Sequence, residues 1–156
     1  MKKTIFPSIC IIFFLSIYAY GTLELLGPLS KEEILENFPD WQEIVASYVP
    51  NMEVVAELQS IQYPIEIEIF LGTWCPDTKR NVSAYFQIMD MVDNPLITTT
   101  YIGIPRDKDS REPYIEGKNI TKVPTFIVVI NYEEKGRIIE NPVKSVEEDL
   151  LDIINK

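Results

Sequence analysis

The pentapeptide Trp74-Cys75-Pro76-Asp77-Thr78 lies between a run that reads as a strand and a segment that reads as a helix. Cys75 therefore stands at a helix N-terminus, where backbone N–H groups and the macrodipole favour the thiolate, the reactive form of the sulfur. Pro76 falls at N1, a position that tolerates its missing N–H. The chemistry open to such a residue is nucleophilic attack on sulfur. Asp77 places a like charge nearby, which Lys79 and Arg80 partly offset. Three residues on, where a dithiol redox enzyme carries its second cysteine, stands Thr78, so the chemistry runs on one sulfur. Its hydroxyl can donate to a thiolate but cannot attack a mixed disulfide; a plain N3 residue with no catalytic part is the equal alternative.

The second cysteine, Cys10, falls in a segment patterned as an export signal. Lys2 and Lys3 give a positive start, Ile5 to Tyr18 an apolar stretch, and Ala19-Tyr20-Gly21 a small-x-small cleavage site. Residues 1–21 are thus expected to be a signal peptide, which makes the protein periplasmic or extracellular. An uncleaved membrane anchor is the alternative, but the apolar run is shorter than the roughly 20 residues a span needs. Cleavage would reduce the basic residues from 14 to 12 and leave all 24 acids, a formal charge of −12. That argues against nucleic acid or an anionic membrane as partner. With one cysteine left there is no internal disulfide framework. The sequence contains no histidine, which removes the commonest zinc ligand and the usual general base, so neither a metal site nor a cofactor is expected.

The elements that must position Cys75 follow from pattern and punctuation. Residues 22–60 read as an N-terminal helical extension. Ser30 with Glu33 forms a capping box with Leu29 and Ile34 as staple, Asp40 with Glu43 repeats the signal, and Asn51 can cap a third short helix. Trp41 belongs to the core of this extension. After Pro64, Ile65-Glu66-Ile67-Glu68-Ile69-Phe70-Leu71 alternates as a strand, with Glu66 and Glu68 placing its start near an open edge of the cover. Val82, Tyr85, Phe86, Met89 and Val92 recur at helical spacing until Asp93-Asn94-Pro95 stops them, giving a helix from about Pro76 to Val92. Ile97 to Ile104 reads as a second strand, parallel to the first because a helix joins them. The Asp107 to Glu112 run reads as a solvated loop. Thr125 to Ile130 and Gly136 to Glu140 form an antiparallel hairpin, and Ser145 with Glu148 caps a last helix. The expected fold is α/β, a mixed central sheet covered by helices on both faces.

With these elements in place, the chain resembles the thioredoxin superfamily over about residues 61–156. Gly72-Thr73-Trp74-Cys75-Pro76-Asp77-Thr78-Lys79 is similar to the active-site turn W-C-x-x-C-K with its last cysteine replaced. Val123-Pro124-Thr125 resembles the loop whose cis-proline faces the active cysteine, and Gly136-Arg137-Ile138-Ile139 the glycine-led strand before the closing helix. The exported bacterial thioredoxin-like proteins are the nearest likeness. The resemblance implies a thioredoxin-like domain at 61–156, Cys75 and Thr78 at the catalytic positions, and Trp74, Pro76, Val123 and Pro124 as the substrate-binding surface. Val123 would pair with an extended substrate chain as a short strand. It also marks departures. Ile69 and Asn81 stand where relatives carry the acids that serve the second thiol.

The expected function is monothiol thiol-disulfide exchange on protein disulfides, through a mixed disulfide at Cys75, in the manner of an oxidoreductase or isomerase. Its partners would be proteins bearing disulfides or thiols, and a reductase that releases Cys75. The alternative is a redox-inactive module that keeps the fold and binds peptides, chaperone-like, on the same surface.

Overall fold

The computed structural model describes residues 23–156; the expected signal peptide, 1–21, and Cys10 lie outside the described residues. The elements run β1 (Gly27–Leu29), α1 (Lys31–Asn37), α2 (Trp41–Ser47), α3 (Met52–Gln59), β2 (Ile65–Leu71), α4 (Pro76–Val92), β3 (Ile97–Gly103), α5 (Glu112–Ile115), β4 (Thr125–Ile130), β5 (Glu133–Ile139) and α6 (Val146–Ile154). They form a mixed five-stranded sheet of order β1-β3-β2-β4-β5. Strands β2 and β3 are parallel across the α4 crossover, and the other neighbours are antiparallel.

Alternation in β2 separates two cores. Ile65, Ile67, Ile69 and Leu71 face a large cluster with Phe126 and Val128 of β4, Tyr85 and Phe86 of α4, and Leu150 of α6. The extension enters this same cluster through Ile34, Trp41, Val55 and Leu58. On the opposite face Phe70 packs with Ile104, Ile120, Val123 and Ile127 under the segment 105–122, whose helix is α5. That cover ends before the start of β2. Glu66 is exposed there and Glu68 is half-buried, holding Lys118 at 2.6 Å.

Local chemistry explains the helix ends. Ser30, Asn51 and Ser145 each accept a first-turn N–H, from Glu33, Glu53 and Glu148. Asp40 does not: its backbone is already helical, and its carboxylate takes Lys79 of α4 at 2.5 Å. At the far end of α4, Asp93 adopts the left-handed region at φ 42°, and Asn94 donates to the carbonyls of Leu58 and Ile61, tying α3 to the turn into β3. Glu147, buried on α6, accepts from the Tyr48 hydroxyl at 2.8 Å and the Asn51 amide at 3.0 Å. Burial and that carboxylate push the Tyr48 phenol well above its ordinary value.

Strand β1 lies within the segment read as helical extension and borders the sheet by pairing Gly27 with Gly103. A side chain at Gly103 would meet the Leu25 carbonyl at 2.2 Å, so only glycine permits this approach. Strand β5 starts three residues before the expected Gly136, because the hairpin turns on Asn131 and Tyr132 alone, both at positive φ (53° and 65°). The ladder slips once between Val128 and Val129. Tyr132 is 96% exposed, so its ring gains nothing for the strained backbone. Tyr132→Gly is expected to stabilise the fold by about 1 kcal/mol, read as a higher thermal midpoint; an unchanged or lower midpoint contradicts it.

Candidate functional site

The strand-to-helix turn after β2 brings the chemistry to the surface. The Gly72 carbonyl accepts from the Cys75 amide at 2.9 Å, and the Trp74 ring fills the space a side chain at Gly72 would need. Cys75 is the N-cap of α4, in extended backbone at φ −97°, ψ 124°, with Pro76 at N1. Its carbonyl takes the Lys79 amide at 3.0 Å. The N–H groups of Asp77 and Thr78 donate to no acceptor among the described residues, leaving two helix-terminal donors beside the cap position. The sulfur is half-buried.

The loop before β4 supplies the other wall. The Val123–Pro124 peptide is cis, and the Cys75 thiol donates to the Val123 carbonyl at 3.5 Å. Thr125 holds this loop by donating to Lys122 O at 2.8 Å. The Pro124 carbonyl accepts from Glu140 N at 2.7 Å, and Asn81 of α4 donates to Glu140 O at 2.7 Å, so the end of β5 links the proline loop to the helix carrying Cys75. Beside Pro124, the Glu140 carboxylate raises the Lys122 ammonium above its ordinary value, through their hydrogen bond first and their charges second.

The six residues singled out in the sequence divide by position. Trp74, Cys75 and Val123 meet in one small cluster, with Pro76 exposed at its rim and Pro124 buried behind it. Trp74 is half-buried, its indole N–H donating to Ile104 O at 3.1 Å. Thr78 points inward at 0% exposure, and its hydroxyl accepts from the Gly72 amide at 3.4 Å; it makes no hydrogen bond to Cys75. Asp77 is paired with Arg80 at 2.6 Å, while Lys79 serves Asp40. Ile69 is fully buried, and Asn81 is engaged with the end of β5, so neither offers a proton acceptor to the sulfur.

Two features have no counterpart in the sequence reading. Residues 23–25 strap the site turn: Thr73 donates to Leu23 O at 3.3 Å and accepts from Leu25 N at 3.2 Å. The charged run 107–112, read as a solvated loop, contains a buried arginine. Arg111 is 7% exposed and donates through Nε to Pro105 O at 2.8 Å and through Nη2 to Arg106 O at 3.0 Å. A lone arginine in a polar run has no periodicity to mark it. Only the unpaired carbonyls of the bend it closes require it.

A family model described as thioredoxin matches residues 30–151. Among solved structures, a protein of unknown function from Pseudomonas aeruginosa is 18% identical, covering 81% of this chain and 96% of its own, at a TM-score of 0.54. An HIV epitope scaffold, also 18% identical with the same coverage, reaches 0.51. At such identity the likeness is one of fold. No curated protein matches the sequence.

Proposed function

Because the chain belongs to the thioredoxin family, we propose that it is an exported monothiol exchange protein whose Cys75 forms mixed disulfides with protein substrates. The observation that carries this reading is a half-buried cysteine at the N-cap of α4, beside two unused helix amides and against the Val123 carbonyl. A thiolate there accepts from the Asp77 and Thr78 amides. It attacks one sulfur of a substrate disulfide. The Cys75–sulfur bond forms as the substrate S–S bond breaks, and the departing thiolate leaves with the electron pair and takes a proton from water. A second thiolate, from the substrate or from a partner reductase, attacks the mixed disulfide and restores Cys75. Thr78, where a second thiol would stand, is buried and bonded to Gly72, and no other cysteine lies among the described residues to take that second step. Export follows from the leader pattern of residues 1–21 and from the compartments in which disulfide substrates occur.

The absence of a proton acceptor at Ile69, Thr78 and Asn81 favours one other reading, a peptide-binding module in which Trp74, Val123 and Pro124 hold a guest without sulfur chemistry. Incubation of the full chain with oxidised glutathione at neutral pH separates them. Exchange predicts a glutathione adduct mapped by peptide mass to Cys75 within minutes to hours. No adduct at that residue overturns it.

A further inference from the structure

The segment between β3 and β4 delivers two guanidinium groups to the aromatic of the site. Arg106 lies 5.3 Å and Arg111 5.4 Å from the Trp74 ring centre. Arg106 also donates through Nη2 to the Trp74 carbonyl at 3.4 Å, the carbonyl bonded to the Cys75 nitrogen. Neither arginine forms an ion pair among the described residues. Arg106 is exposed, and Arg111, although buried, makes no hydrogen bond through Nη1 among the described residues.

Two acids near these arginines, Asp107 and Glu24, have other partners. Asp107 feels the charge of Arg111, but its carboxylate accepts from the Ser110 hydroxyl and the Asp109 amide. Glu24 takes the backbone amide of Arg106, not its guanidinium. Two guanidinium groups without an ion pair among the described residues, gathered on the aromatic that precedes Cys75, contrast with a chain of formal charge −10. Arginine's fork of donors matches a carboxylate, and a residue bonded through sulfur to Cys75 carries its neighbour only about 3.5 Å further along an extended chain.

We propose that Arg106 and Arg111, stacked on Trp74, form a carboxylate subsite that selects disulfides flanked by an acidic group. It rests on the exchange reading of Cys75. The substrate carboxylate docks on the guanidinium groups while its sulfur is attacked, and the bonds exchanged are those given above.

The test compares rates of adduct formation at Cys75 for oxidised glutathione, a disulfide-linked Gly-Glu-Cys-Gly-amide peptide, and neutral bis(2-hydroxyethyl) disulfide. The ratio of each acidic rate to the neutral rate should fall roughly tenfold in Arg106→Gln, the loss expected for a charge-assisted hydrogen bond. It should fall less in Arg106→Lys, and it should shrink in wild type at 1 M salt, where screening is strong. Arg111→Gln should act the same way, provided that its melting midpoint shows the loop intact; Arg106→Gln, on the exposed side, carries the test otherwise. An unchanged ratio overturns the subsite. A preference for glutathione alone, or for the side-chain acid alone, identifies the source of the carboxylate. Binding of S-methylglutathione, which cannot exchange, is read from the Trp74 indole N–H resonance. Binding weakened by Arg106→Gln supports the subsite even where exchange fails, and no binding overturns it even where exchange proceeds.

Discussion

Cys75→Ser is expected to abolish adduct formation at position 75 with every disulfide while leaving the fold intact. A serine oxygen cannot form a disulfide, and no other described residue is a cysteine, so the loss is complete rather than graded. The structural cost is small. The position is half-buried, and a serine hydroxyl can still donate to the Val123 carbonyl that now accepts from the thiol. The change in stability should stay within about 1 kcal/mol. Peptide mass mapping after treatment with oxidised glutathione, beside a thermal melt, checks both halves; mapping also distinguishes Cys75 from Cys10 in the full chain. The same variant separates the two functional readings. Partners captured equally by wild type and Cys75→Ser point to the binding module, whereas partners found only as disulfide-linked species point to exchange.

Trp41→Ala should be the most damaging single change in the extension, costing about 3–5 kcal/mol out of a total stability of roughly 5–15 kcal/mol. Trp41 is 1% exposed in α2, its ring lies 5.6 Å from Phe38, and α2 packs along α4, the helix that carries Cys75. No small rearrangement fills the space an indole leaves there. Since Trp41, Ile34 and Leu58 share one cluster with the sheet, unfolding in urea should remain a single transition with its midpoint moved down. Two separate transitions, or a loss below 1 kcal/mol, would mean that the extension folds apart from the sheet. The effect should reach the sulfur as well, because Asp40, the residue before Trp41, anchors Lys79 in the first turn of α4.

What the sequence reveals about this molecule depends on how local each cause is. Helix α4 is legible end to end: Cys75 and Pro76 open it, its apolar residues recur at helical spacing, and Asp93-Asn94-Pro95 closes it. Strand β2 is equally plain from its alternation, and Ser30, Asn51 and Ser145 cap as their spacing indicates. Asp40 fails as a cap because an ion pair to a residue 39 positions away competes for the same carboxylate. Strand β1 escapes notice since three residues including Pro28 carry no periodicity, and only the register with β3 defines it. The site shows the same division. Cys75 at a helix start can be read from neighbouring residues, but Val123 faces it across 48 positions, a meeting that resemblance to a family predicts and spacing does not. Arg106 and Arg111 reach Trp74 only through the bend they help to close.

The margins of the sheet bear on how the protein behaves in a crowded solution. A bare strand margin is a template on which a second molecule can extend the ladder, and repeated addition leads to fibres or precipitate. Here one margin, β1, is three residues long and interrupted by Pro28. The other, β5, places exposed Glu133, Glu134 and Lys135 in sequence and twists where its pairing with β4 slips at Val128 and Val129. An incoming strand would have to bury those charges and follow an irregular edge. Both margins thus resist extension of the ladder by a second copy of the sheet.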